Sequence, residues 1–131
     1  AADLIVLPGQ REPGDYARKI NVGYRAPDDP FVFTAADDLN FRHDWYSRAL
    51  EYMAPGVDVV GTNDLCNGRV MQGQHSTHTL IRRSYVDDPG CVVGEPGMVL
   101  FEGYAHEYCD DELIETAKAR GRYVHAHDSI V

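Results

Sequence analysis

Apolar residues recur along this 131-residue chain in short bursts separated by Gly, Pro and Asp, and the spacing inside each burst predicts an element. Leu4-Ile5-Val6-Leu7, closed by Pro8-Gly9, has the form of a short buried strand. Beyond Gly14, residues Tyr16, Ala17, Ile20 and Tyr24 share one face of a helix from about Asp15 to Arg25, which Pro27-Asp28-Asp29-Pro30 stops. Phe31-Val32-Phe33-Thr34 is a β-branched and aromatic run, hence a buried strand, and it leads into Ala35-Ala36-Asp37-Asp38-Leu39-Asn40. Asn40 is placed to cap a helix in which Trp45, Ala49 and Met53 alternate with Tyr46 and Leu50, and this stripe assigns Trp45 to the core.

Pro55-Gly56 ends that helix, and Val57-Asp58-Val59-Val60-Gly61 supplies another strand. The polar stretch Asn63 to Gly73 predicts a loop, and the threonine-rich stretch His75 to Ile81 an exposed or edge strand. Asp87-Asp88-Pro89-Gly90 and Glu95-Pro96-Gly97 carry turn chemistry. A last helix runs from Asp110 or Asp111 to Arg120, with Leu113, Ile114 and Ala117 on one face, acids in its first turn and Gly121 as its stop. Tyr123 to His127 forms a closing strand. This order predicts an α/β sheet with helices on its faces, in one domain over residues 1–131 without internal repeats.

Composition narrows the class. With 44% hydrophobic and 25% charged residues the chain can bury a core and is not a disordered segment. Twelve Lys and Arg against 21 Asp and Glu give 12 − 21 = −9. Such a surface repels nucleic acid and anionic lipid, so a phosphate-bearing ligand would have to be held through a metal ion. No apolar run approaches the roughly 20 residues of a membrane span, and the N-terminus lacks the pattern of a secretion signal. Cys66, Cys91 and Cys109 form no C-x-x-C pair, which points to a reducing compartment and a cytoplasmic protein. The chain begins Ala1-Ala2-Asp3 without an initiator Met, as a piece of a longer protein would.

Ligands of open α/β sheets collect beyond the C-terminal ends of the strands, where Asp37-Asp38 falls. A carboxylate pair there suits Mg²⁺ or Mn²⁺ and equally suits the polar start of a helix. Asp110-Asp111-Glu112 has the same two faces: acids that stabilise a helix N-terminus, or a general base turned into the same cleft. His75 with His78 and His125 with His127 form pairs of the kind that hold zinc, the latter two on one face of a strand. Arg82-Arg83 is the densest positive charge, either a solvated strand end or a clamp for an anion.

Taken in order, three stretches resemble the later half of a family-2 glycosyltransferase domain of the GT-A fold. Tyr16-Ala17-Arg18-Lys19-Ile20-Asn21-Val22-Gly23-Tyr24 looks like the family's helix with Asn-x-Gly ahead of its metal strand. Phe31 to Asp38 looks like the strand ending in D-x-D, and Cys109-Asp110-Asp111-Glu112-Leu113 like the E-D-x-x-L region. The resemblance implies a GT-A-like, Rossmann-like mixed sheet flanked by helices, in a partial domain that lacks the N-terminal nucleotide-binding units. It implies that Asp37 contacts a Mn²⁺ or Mg²⁺ ion on the donor diphosphate, with His127 as a further ligand and Asp38 as the adjoining acid. It also implies that Arg82 and Arg83 lie toward the diphosphate or acceptor, and that Asp110 is the catalytic base, with Asp111 next in register. The first acid of D-x-D falls on Ala35, and Cys109 stands where the family has Glu.

The activity so implied is inverting transfer of a sugar from a nucleotide-diphosphate sugar to a hydroxyl of a sugar, lipid or protein acceptor. Two alternatives stay open at this level. One is a zinc-dependent hydrolase built on His75, His78, His125 and His127 with Asp110 or Asp128, and the other is a non-catalytic carbohydrate-binding or assembly module. An incomplete sheet would leave an edge for a second copy, which makes a homo-oligomer one expected outcome.

Overall fold

The computed structural model describes residues 5–7, 9, 12–105 and 107–131. Helix α1 (Asp15–Arg25) begins after Gly14, whose left-handed backbone (φ 82°) turns the chain without a side-chain cap. The first-turn acid Asp15 pairs with Arg18 at 2.6 Å and Lys19 at 3.2 Å on the solvent side. On the other side Ala17, Asn21 and Tyr24, spaced four and three apart, are buried. Strand β1 (Phe31–Thr34) follows, then helix α2 (Trp45–Tyr52), strand β2 (Val59–Asn63) and the single turn α3 (Gly68–Met71). Strand β3 (Thr79–Arg82) runs directly into the short helix α4 (Arg83–Asp87), and helix α5 (Cys109–Ala119) leads to strand β4 (Tyr123–Ile130).

The four strands form one mixed sheet in the order β1-β3-β2-β4. β3 is antiparallel to both neighbours, with Thr34 opposite Thr79 and Val59 opposite Ile81, while β2 and β4 run parallel. Alternation along the pleat splits the core in two. Val59 and Ile81 face α1 and α5, where they meet Leu113, Ile114 and Ala117 together with Val99 and Leu100. Val60, Leu80 and Ala126 face α2 and meet Ala49. Each fully buried aliphatic side chain in these layers contributes about 2 kcal/mol relative to exposure. The result is a three-layer α/β arrangement, as the element order predicts.

Several expectations need correction. Leu4 and Pro8 lie outside the described residues, and Ile5 to Leu7 form no strand; Ile5 and Val6 are 47% and 73% exposed. The threonine-rich segment does not produce an edge strand: β3 is interior, and Thr79, Leu80 and Ile81 are buried. Polarity misleads there because the hydroxyls are satisfied internally. Ser76 Oγ and Thr62 Oγ1 both donate to the His78 carbonyl at 2.6 Å, and Thr34 Oγ1 accepts from the Thr79 N–H at 2.9 Å. β1, expected to be buried, is instead an edge strand and is only half-buried along most of its length. α2 starts at Trp45 rather than after Asn40, with Asp44 at its cap position pairing to Arg48. Trp45 is half-buried in an aromatic group with Phe33, Phe41 and Tyr46 instead of in the core. No described helix is long and apolar enough to cross a membrane.

Candidate active site

The pairing pattern brings the C-terminal ends of β1, β2 and β4 and the N-terminal end of β3 to one side of the sheet. The N-terminus of α5 arrives at the same side, so groups far apart in sequence meet there. His75, on the approach to β3, is only 3% exposed and places its Nε2 3.1 Å from Asp110 Oδ2. Its Nδ1 lies 3.8 Å from Asp111 Oδ1 and has no hydrogen-bond partner among the described residues. Asp111 Oδ1 in turn accepts from Arg69 of α3 at 3.0 Å, and the Asp111 N–H donates to Asp110 Oδ1 at 3.1 Å.

These groups line a cleft of about 480 Å³, to which Tyr16, His78 and Tyr108 also contribute. An adjoining cleft of about 330 Å³ contains Asp37, Asp15 and Tyr104 and shares Tyr16 and Cys109 with the first. The two acidic motifs thus open onto neighbouring clefts with Tyr16 between them. Tyr108, immediately ahead of α5, carries a left-handed backbone (φ 75°) that is unfavourable for a bulky residue, and its ring is 62% exposed.

Electrostatics distinguish the acids and imidazoles. Burial works to raise the Asp110 carboxyl, but the hydrogen bond and electrostatic pull of the His75 ring, with the backbone N–H groups of Asp110 and Asp111, outweigh it and hold the group below the usual carboxylate range. Asp110 is therefore ionised at neutral pH. Burial lowers His78 against the pull of the Thr34 backbone and the charges of Asp64, Asp38 and Asp110, so a neutral ring sits among acids. Tyr16 is pushed up to about 12, first by burial and then by Cys109 and Asp110.

The remaining sequence-derived candidates lie elsewhere. Arg82 and Arg83 sit at the opposite end of β3. Arg82 pairs with Asp58 at 3.1 Å, and Arg83 donates to the Tyr24 carbonyl at 2.9 Å while its guanidinium lies 4.7 Å from the Tyr24 ring centroid. His127 meets His125 edge to face with ring centroids 4.6 Å apart, against Gly73, where a Cβ would come 2.9 Å from the His127 ring. Neither imidazole lines either cleft. Burial, and secondarily His127, pushes His125 down to about 4. Asp37 and Asp38 occupy an exposed turn after β1. Among the described residues, one group of three ligand-type side chains converges, His75 with Asp110 and Asp111, and neither the four histidines nor Asp37 with His127 do so.

Sequence reasoning missed the His75–Asp110 contact, Arg69 and Tyr16. The first joins residues 35 positions apart, and no periodicity reports it. Arg69 had a local signal: Asn67, whose side chain accepts from the Arg69 N–H, caps α3 inside what reads as a polar loop. Comparison of the chain with protein families, with curated proteins and with solved structures finds no match to any of them.

Proposed function

We propose that the protein acts in a GT-A-like manner, transferring a sugar from a nucleotide-diphosphate donor to an acceptor hydroxyl with inversion at the anomeric carbon. One observation carries this reading: an ionised Asp110, oriented by a buried His75, opens onto a cleft that adjoins the Asp37-Asp38 turn. In the reaction the acceptor oxygen attacks the anomeric carbon, and Asp110 takes the hydroxyl proton as the new C–O bond forms. The bond from that carbon to the diphosphate breaks on the opposite face, and the nucleotide diphosphate leaves with the electron pair.

Asp37 and Asp38 offer exposed carboxylate oxygens of the kind that hold Mn²⁺ or Mg²⁺ when phosphate oxygens complete the shell. Such an ion supplies charge neutralisation to the diphosphate. Arg69 is the guanidinium nearest to Asp110 and Asp111 and is the cation this reading assigns to the anionic donor, in place of Arg82 and Arg83, which are engaged at the far end of the sheet. His78 and Tyr16, both uncharged at neutral pH, line the space between the two acidic motifs without adding charge to it. Cys66, Cys91 and Cys109 are free thiols, which suits work in the reducing cytoplasm.

The test is a panel of nucleotide-diphosphate sugars with MnCl₂ and simple glycoside acceptors, read as nucleotide release and as product mass. Donor-dependent product that needs the metal supports the reading. Stoichiometric tight zinc with hydrolysis of the panel and no transfer would favour the hydrolase instead.

A further inference from the structure

We infer that His75, Asp110 and Asp111 form a binding site for a borderline divalent cation of the Zn²⁺ class, separate from the Mn²⁺ or Mg²⁺ assigned to Asp37 and Asp38. One nitrogen of His75 and one oxygen from each acid lie within 4.8 Å of one another. Two donors on a single zinc ion at bond lengths of about 2.1 Å stand about 3 to 3.5 Å apart, so a small rotation of Asp111 brings its oxygen and the facing His75 nitrogen onto one ion, water completing the shell. The nitrogen that takes the ion is Nδ1, which faces Asp111 Oδ1 at 3.8 Å, while Nε2 stays on Asp110 at 3.1 Å and holds the ring in place.

Acids at a helix N-terminus are ordinary, and the distinguishing group here is the imidazole. His75 is nearly completely buried, yet its Nδ1 has no hydrogen-bond partner among the described residues and faces Asp111 Oδ1 at 3.8 Å. A buried ring nitrogen left unpaired costs free energy that a cation recovers. Arg69 does not close the site, because it is a half-exposed side chain that can turn to solvent when Asp111 changes partner. The mixed donor set, an imidazole nitrogen with a carboxylate oxygen, favours Zn²⁺ over Mg²⁺, which prefers oxygen alone.

Occupancy places a divalent charge across the His75 ring from Asp110 and makes that carboxylate a poorer acceptor of a proton. Resting on the transferase reading in this respect alone, the site is inhibitory: Zn²⁺ suppresses transfer that Mn²⁺ supports, and chelation followed by fresh Mn²⁺ restores it.

The test titrates ZnCl₂ alone into the untagged, metal-stripped chain by calorimetry, with Co²⁺ absorption in the visible as a second probe. One ion per chain is expected. His75→Asn and Asp111→Asn should each weaken it about tenfold or more, while Asp37→Asn and His127→Gln leave it unchanged. Circular dichroism establishes that the variants are folded, and if His75→Asn is not, Asp111→Asn at the half-exposed first turn decides. Absence of binding, binding that survives Asp111→Asn, or binding lost in His127→Gln overturns the site. Zinc bound by His75 and Asp111 with transfer undiminished overturns the inhibitory role, whereas a chain that binds zinc and transfers no sugar counts against the transferase alone.

Discussion

Truncation of Asn21 to Ala removes the best-connected polar side chain in the interior. Its Oδ1 accepts from the backbone N–H groups of Val99 at 2.9 Å and Leu100 at 3.1 Å, and its Nδ2 donates to the Leu100 carbonyl at 2.8 Å and to Glu102 Oε1 at 2.9 Å. The amide is fully buried. In Asn21→Ala two backbone N–H groups and one carbonyl lose their partners inside the core, at about 1 to 2 kcal/mol each. The sum is about 3 to 6 kcal/mol, and a water admitted to the vacated space recovers part of it, which leaves about 3 kcal/mol. For a domain of this size that is a large share of a total near 5 to 15 kcal/mol. The segment affected continues to Ala105, whose carbonyl accepts from the Gly14 N–H at 2.6 Å, and on to Tyr104 and Tyr108 at the clefts. Urea unfolding followed by circular dichroism and Trp45 fluorescence should show a midpoint lowered by about 1 to 2 M with an unchanged slope. A loss below about 1 kcal/mol would refute the idea that Asn21 pins this segment.

Three further outcomes follow from the same geometry. His125 is held neutral in the fold, its folded value of about 4 lying below the ordinary 6.5, so the unfolded chain binds more protons between these values. Stability should therefore be full above about pH 6.5 and fall by about 2 kcal/mol as pH drops toward 4, allowing for water at the edge of the ring; His125→Phe should flatten that part of the urea-midpoint profile, and an unaltered profile would contradict it. At Gly61 an added Cβ would strike the Tyr123 hydroxyl and come 2.6 Å from Ser76 Cβ, so Gly61→Ala should cost about 1 to 3 kcal/mol in the same assay, and a neutral effect would show that β2 has slack there. His75→Asn removes the strongest of the groups that depress Asp110, leaving burial opposed only by the backbone N–H groups; the acid limb of the transfer rate against pH should move upward, and a stationary limb would detach His75 from Asp110.

Local chemistry made much of the fold legible in the chain. α1 and α5 are readable because their stripes are apolar at helical spacing and their ends carry standard signals, Gly121 (φ 68°) among them. β3 reads as an edge strand because its approach is rich in Ser, Thr and His, and only the tertiary pairing of Thr62, Ser76 and the His78 carbonyl makes such residues acceptable in an interior strand. The acidic strand end and helix start were visible as motifs. Their meeting through His75 was not, because contact between β3's approach and α5 depends on sheet order, which no window of sequence contains. Arg82 and Arg83 drew notice as a charge pair, but the direction of β3 carries them away from the clefts.

The proposed transfer depends on Asp110 as the group that takes the acceptor's proton. The measurement that bears on it most directly is turnover of a nucleotide-diphosphate sugar by Asp110→Asn beside wild type, with donor affinity measured in parallel. Loss of about 10² to 10⁴ in turnover, with donor affinity changed by no more than about twofold, is the predicted result. Turnover within about tenfold of wild type would contradict the assignment, since removal of a working general base cannot be that mild.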